Sequence, residues 1–351
     1  MKTTVRISIL LIILVAGFFI LFNWAGDSVD GPGTQDGVIY SSNGYPADIP
    51  EPDTLRIMTW NIAYGYGMGS DGVGYAPKNP EEFEERLHKM AELIRDKQID
   101  IVLIQEIDFH AARSHKVNQL EVLSRLTGLA FGAPAVSWDA GYVPFPYWPP
   151  DYQFGRTKSG GAILSRFPIV DNEVILHPKP DANPWYYNAF YLFRYSQVVT
   201  VLAGESRFRV VNNHLEAYDN DNRSKQASVL ASVINSDSET DAPVIVFGGD
   251  MNTVPEQASR LTNFDDDYND DYRDDSTMSV LNSIPGFREI IADSLYATCE
   301  NRFHTFPSTM PNRRLDYLFI SNTMQLLEYE FISTGNLSDH LPVIATITWK
   351  Q

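Results

Sequence analysis

VIVFGGDMN, Val244 to Asn252, is the stretch whose reading decides the fold. Its four apolar residues, rich in β-branched Val and Ile, are too few for a helix and read as a strand buried on both faces. Gly248 and Gly249 let the backbone turn sharply after that strand, and Asp250 and Asn252 follow. Residues two apart on an extended segment face the same way, so carboxylate and amide would enter one cavity. Taken alone, the same two groups also suit an Asx-turn that satisfies only local backbone.

Working outward, the pattern recurs along the chain. LRIMTWN (Leu55 to Asn61), IVLIQE (Ile101 to Glu106), FRVVNNH (Phe208 to His214), RLDYLF (Arg314 to Phe319) and LSDH (Leu337 to His340) each carry an apolar run to a carboxylate, amide or imidazole. Burying such a group at a sheet rim is costly unless it is paired, hydrogen-bonded or bound to a metal. The repetition therefore points to one shared site. Between these strands the period becomes helical. Pro80 to Lys97 opens with Pro and Glu and places Phe83, Leu87, Met90, Leu93 and Ile94 on one face, and Arg223 to Ile234 does the same with Ala227, Leu230, Ala231 and Ile234.

A length of 351 residues would allow two domains, but large α/β sandwiches use as many for one, and 44% hydrophobic residues support a packed core. A formal net charge of −18 repels polyanions and speaks against a broad phosphate-tracking surface. With Cys299 as the only cysteine, no intramolecular disulfide and no Cys-based metal site can form, and Cys299 reads as an inert structural thiol.

At the N-terminus, Lys2 and Arg6 precede an apolar run from Ile7 to Phe22 interrupted only by Ser8. That order predicts an export signal with its basic end held in the cytoplasm. Bulky Trp24 makes Asn23-Trp24-Ala25 a poor cleavage box, so residues 1–25 read as a retained anchor. Gly, Pro, Ser and Asp over 26–53 predict a flexible linker, and 54–351 a single folded body. The body would lie outside the cytoplasm, anchored to the membrane, or secreted if the signal is cleaved.

Two inserts and a further aromatic group stand out. Val136 to Phe154 is dense in Trp, Tyr, Phe and Pro and reads as a stiff loop whose rings stack on a ligand, meet a lipid interface or pack over a sheet edge. Trp185 to Tyr195 (WYYNAFYLFRY) is a second aromatic group beside it. Asp265 to Asp275 (DDDYNDDYRDD) lacks the Gly and terminal Glu of a calcium loop and reads as a solvated acidic loop.

The rim residues suggest chemistry. Glu106, ending a buried strand, suits a hard cation such as Mg²⁺, or else a helix cap or salt bridge. Asp339 and His340 are adjacent, so on a strand they diverge, one toward a metal and one toward a phosphate. A His active near neutral pH needs a carboxylate to fix its tautomer, and Asp316 is the candidate partner for His340. His214 supplies a second imidazole. Converging with carboxylates, two imidazoles make phosphoryl transfer plausible.

The ordered set MTWNIAYG, VLIQEID, GGAILSRFPI, VVNNHLEAYD, VFGGDMNTVP, RLDYLFIS and LSDHLPVIA resembles the endonuclease/exonuclease/phosphatase superfamily over residues 54 to 349. The resemblance implies an α/β, four-layered αββα sandwich of two packed mixed β-sheets flanked by helices. It also implies in-line attack of water on a phosphate ester with Mg²⁺, or with Mn²⁺ or Ca²⁺ in its place. In the resemblance, Glu106 is the principal metal ligand, Asn61 its neighbour at metal and phosphate, and Asp339 a further metal-side carboxylate. Asp250 positions or activates water, Asn252 stabilises the transition state, His214 and His340 contact phosphate, and Asp316 orients His340. Lys158 and Arg223 are candidate substrate contacts.

Substrate choice is set by loops rather than by the fold. An acidic, exported, tethered chain with aromatic inserts is expected to hydrolyse a membrane phosphodiester or a small phosphate ester. The alternatives are an extracytoplasmic nuclease, with nucleic acid as substrate only, and a module that binds a phosphorylated ligand without turnover.

Overall fold

A computed structural model describes residues 2–42, 51–68, 79–236 and 242–350. Its strands form two seven-stranded sheets. The first runs, in spatial order, β13 (Met324–Phe331), β14 (Val343–Trp349), β3 (Leu55–Asn61), β4 (Ile101–Asp108), β6 (Gly155–Ser165), β5 (Phe131–Val143) and β2 (Tyr40–Ser41). The second runs β1 (Gly33–Asp36), β7 (Ile169–Leu176), β8 (Tyr195–Ala203), β9 (Ser206–His214), β10 (Val244–Asp250), β12 (Asp316–Ser321) and β11 (Phe287–Glu289). β3 pairs parallel to β4 and β9 parallel to β10, while the other pairings are antiparallel.

The helices are α1 (Lys2–Ala25), α2 (Pro80–Asp96), α3 (Gln119–Thr127), α4 (Trp185–Asn188), α5 (Asn220–Ser236), α6 (Thr277–Asn282) and α7 (Asp293–Cys299). Between the sheets, Ile57, Leu103 and Ile163 meet Val199, Val210 and Leu318. On the outer face of the first sheet, Met58 and Val102 pack under Leu87 and Met90 of α2 and Leu123 of α3. On that of the second, Val211 and Phe247 pack under Leu230 of α5 and Leu281 of α6. Both faces of each sheet are thus covered, which is why the strands read as unbroken apolar runs. The result is the expected four-layered αββα sandwich.

Several expectations change. LSDH is not a strand end: it lies in the loop before β14. Val136 to Val143 belongs to strand β5, so only the remainder of that insert is loop. The segment read as a linker is built into the body over residues 26–42, where β1 pairs with β7 and β2 with β5. Short polar edge strands have no apolar period, so composition alone reads them as linker. Residues 43–50 of that segment lie outside the described residues.

Candidate active site

Strand register brings the rim residues together. At the end of β10, Asp250 lies opposite His214 of β9 on one side and Asp316 of β12 on the other. Gly249 permits this closeness, because a Cβ there would meet the Asn213 carbonyl oxygen at 2.0 Å. Its role is close strand approach within β10, not the turn expected of it. Across the sandwich, Asn61 ends β3 and donates from Nδ2 to Asp250 Oδ2 at 2.9 Å. The loop carrying His340 is pinned at this rim as well. Ser338 Oγ donates to the Asn61 carbonyl at 2.7 Å, and Trp60 Nε1 donates to the His340 carbonyl at 3.2 Å.

Asp250 Oδ2 is the hub. His214 Nε2 lies 3.6 Å from it and His340 Nε2 lies 3.7 Å away. His340 Nδ1 and Asp316 Oδ2 are 2.8 Å apart and both side chains are buried. This bond fixes the ring so that Nε2 faces Asp250. Glu106 sits on a bulge of β4 with φ 53, a left-handed conformation uncommon outside glycine, and its Oε1 is 3.8 Å from His214 Nε2. The neighbouring Gln105 points the other way and bonds Asn212 in the inter-sheet core.

The electrostatics divide the two imidazoles. Burial would lower His340, but the carboxylates of Asp316, Asp250 and Asp339 outweigh it and hold the ring well above its ordinary range. Burial, the Arg194 guanidinium and His340 together hold His214 well below that range. The surroundings thus drive the two rings in opposite directions, His340 toward its cationic form and His214 toward its neutral form. Burial raises Asp250 to about 6, with Asp316 adding to the rise. Burial and the charges of Asp339 and Asp250 raise Glu106 to about 7. Titratable groups driven apart by their surroundings mark acid and base roles.

Asp250, Asp316 and His340 each place a ligand-type atom within 4.8 Å of the others. Because Asp316 Oδ2 is engaged with His340, this trio works better as a hydrogen-bonded relay than as a metal cage. The donors that fit a hard cation are Glu106 and Asp339, which line the same cavity of about 180 Å³ as Asp250, Asn252, His214 and His340. Two carboxylates lining one cavity, with the Asp339 charge helping to raise Glu106, form a donor set suited to a divalent ion.

Other sequence expectations are corrected. Asn61 Oδ1 accepts the Ala63 N–H at 3.0 Å and its Nδ2 holds Asp250, so it orients Asp250 rather than facing the cavity. Asn252 has φ 50, so the segment is not extended, and its N–H donates to Asp250 Oδ1 at 3.0 Å in an Asx-turn. Its side chain still reaches the cavity wall. Lys158 lies on β6 and lines neither this cavity nor the aromatic one beside it. Arg223 is buried and committed, 2.8 Å from Asp275 and donating to the carbonyls of Glu216 and Ala217. The acidic insert is also less solvated than expected, since Asp266 and Asp270 both pair with Arg313.

Arg194 escaped the sequence reading. It is buried between Glu216, 3.7 Å away, and His214 Nε2, which its Nη1 touches. It lines both the polar cavity that holds Asp250 and an aromatic cavity of about 670 Å³. A lone cation among the rings of WYYNAFYLFRY, immediately before a strand, was the signal available.

Residues 58–340 match the model of the Endonuclease/Exonuclease/phosphatase family. The chain belongs to that family. Its members are phosphoesterases and nucleases, and the chain is a hydrolase of this class. Among solved structures, a family protein from Beutenbergia cavernae superposes with TM-score 0.57 at 19% identity, covering 85% of this chain and 72% of that one. The human Nocturnin catalytic domain with bound sulfate gives 0.56 at 18% identity, covering 90% and 97%. TDP2 from D. rerio, complexed with a single-stranded DNA product, gives 0.52 at 15% identity, covering 85% and 100%. At such identities the likeness concerns the fold. A search of curated proteins finds no match.

Proposed function

We propose that the protein is an exported, membrane-anchored, divalent-metal-dependent hydrolase that cleaves a phosphate ester by in-line attack of water. The observation that carries this reading is the convergence of Asp250, the Asp316–His340 pair, His214, Glu106 and Asp339 on one cavity. Glu106 and Asp339 would hold the cation, Mg²⁺ foremost with Mn²⁺ or Ca²⁺ as alternatives. Bound there, it would neutralise charge on the phosphoryl oxygens as a Lewis acid.

The chain's own groups do the rest. Asp250, raised to about 6 and held by Asn61, takes a proton from the attacking water near neutral pH. Cationic His340 and the Arg194 guanidinium face the charge that develops on the equatorial oxygens. Neutral His214 and the Asn252 amide complete the phosphate pocket.

Export and anchoring are supported by α1, in which Thr4–Ala25 has a mean hydropathy of 2.8. Its 24 residues span about 36 Å at about 1.5 Å each, enough for a bilayer core of about 30 Å. Ile9, Ile12, Leu14 and Phe18 are all exposed on it, an apolar surface unsuited to water.

The test is hydrolysis of bis(p-nitrophenyl) phosphate by the full chain with Mg²⁺ and with EDTA. Turnover that needs the cation and is lost in Asp250→Asn supports the proposal. Metal-independent turnover, or full activity in Asp250→Asn, refutes it. The second reading is a nuclease, favoured by the DNA product seen with the D. rerio neighbour. Against it, Asp267 lines this cavity, and Arg313 on the same wall is already held by Asp266 and Asp270, so the wall stays acidic where the flanking phosphates of a strand would lie. A steep loss of kcat/KM with salt on plasmid or oligonucleotide would favour it.

A further inference from the structure

The aromatic cavity of about 670 Å³ shares Glu106, Arg194, Tyr218 and Asp339 with the catalytic cavity. Away from that polar end its walls are Trp138, Phe145, Phe154, Phe190 and, from the last turns of α1, Phe22. Phe22 packs at 5.1 Å edge-on to Phe190 and at 5.4 Å from Trp185, ring centre to ring centre. The helix end is fixed there. The Asp27 N–H donates to the Ala189 carbonyl at 2.7 Å, and Lys179 Nζ pairs with buried Asp27 Oδ2 at 3.0 Å. Gly141 of β5 lets α1 approach, because a Cβ would meet the Trp24 carbonyl oxygen at 2.1 Å. Of the cavity's lining residues Tyr147 and Tyr186 are exposed, as are Trp148, Tyr152 and Trp185 close by in sequence, side chains of the kind that settle at a bilayer surface.

The cavity is thus amphiphilic along its length, apolar beside the anchor and polar at the phosphate rim. We infer that it receives the hydrocarbon of a membrane phosphate ester, with α1 serving as one wall of the substrate site, so that the ester passes from the bilayer to the metal side without crossing water. This rests on the phosphohydrolase reading and names its substrate class. A nucleobase would also stack on rings, but it gives no reason for the anchor to form part of the wall.

The experiment uses the full chain in phosphatidylcholine vesicles and p-nitrophenyl phosphodiesters whose second alcohol is ethyl, octyl or hexadecyl. Each methylene buried is expected to raise kcat/KM by up to about fourfold, so octyl should outrun ethyl by at least about tenfold. Phe22→Asp, and independently the exposed lip variant Tyr147→Asp, should cut the octyl-to-ethyl ratio several-fold. Hexadecyl ester should turn over when it shares the enzyme's bilayer and not when carried in separate vesicles. A flat chain-length series, an unchanged ratio in both variants, or equal turnover from separate vesicles overturns the inference. So does a thymidine p-nitrophenyl phosphodiester that outruns the octyl ester and is lost in Phe22→Asp. If no ester is hydrolysed, the phosphohydrolase reading fails, and brominated dodecyl phosphate then tests the cavity alone. Saturable tryptophan quenching that Phe22→Asp abolishes supports the cavity assignment, and absence of quenching overturns it.

Discussion

Replacing Asp316 by Asn keeps the shape of the rim and removes one charge. Asp316 Oδ2 lies 2.8 Å from His340 Nδ1, and its carboxylate is the foremost of the groups that hold the buried imidazole well above its ordinary range. In Asp316→Asn the burial that favours the neutral ring is opposed only by Asp250 and Asp339. The protonated fraction at pH 7.5 falls, and the ring also loses the acceptor that fixes its tautomer. Loss of one preorganised charge facing the transition state costs about 10²–10³ in rate, so kcat/KM should fall up to about a thousandfold, some 4 kcal/mol of transition-state stabilisation. The pH profile carries the sharper signature. In the wild type the acid limb is expected to follow Asp250, raised to about 6, and the alkaline limb to follow His340, which its surroundings hold well above the ordinary imidazole range. In the variant the alkaline limb moves down toward the acid limb and the profile narrows. The assay is kcat/KM on bis(p-nitrophenyl) phosphate from pH 5 to 9 with saturating Mg²⁺, alongside circular dichroism to confirm folding. A loss below about threefold, or an alkaline limb that does not move, would refute the relay.

Four further outcomes are expected. Glu106, raised from 4.5 to about 7, binds its proton more tightly folded than unfolded, so the metal-free protein is stabilised at low pH and loses about 3 kcal/mol as pH rises from 4 through 7. Because a cation competes with that proton, Mg²⁺ should raise Tm more at pH 8 than at pH 6 in thermal scans. Arg194→Met should lower kcat/KM by about 10²–10³, with partial recovery in Arg194→Lys, since a buried cation beside the phosphate pocket is removed. Arg223→Ala should cost about 3–5 kcal/mol in urea unfolding by leaving buried Asp275 unpaired, while the folded fraction keeps its kcat. Gly141→Val should displace the end of α1 from β5, read as faster proteolysis between α1 and the body, because even a Cβ meets the Trp24 carbonyl oxygen at 2.1 Å.

The core strands were legible because both of their faces are buried. LRIMTWN became β3 with the same ends, Leu55 and Asn61, and VIVFGGD became β10. Helix α2 was legible from its period and its start, where Asn79 accepts the Glu82 N–H ahead of Pro80. What sequence could not carry was the partnership of side chains far apart in the chain. Arg223 and Arg194 look alike in one dimension, yet one is locked to Asp275 and the other lies at the junction of two cavities. Asn61 was placed at the rim by its strand, but its amide turns to Asp250, a hydrogen bond spanning 189 residues. The edge strands β1 and β2 escaped because polar, solvent-facing pairing leaves no apolar period to read.

A chain with a net charge of −18 must still attract a phosphate, and the arrangement of its charges explains how. Among the described residues the cations lining this cavity are buried: Arg194, Arg313, which is paired with Asp266 and Asp270, and His340, driven toward its cationic form by the carboxylates around it. Buried charge acts over a short range but is weakly screened, so it rewards a phosphate that has already entered. Outside, Asp267 and Asp270 stand at the catalytic cavity and offer no track for a second or third phosphate. Approach therefore falls to the apolar side, where the aromatic cavity opens beside α1. Salt separates the two routes. A strand drawn in by surface cations loses affinity steeply with ionic strength, whereas an ester delivered by its hydrocarbon keeps its KM as salt rises from 50 to 500 mM. A KM that climbs more than about tenfold over that range would place the selectivity in charge and not in the aromatic wall.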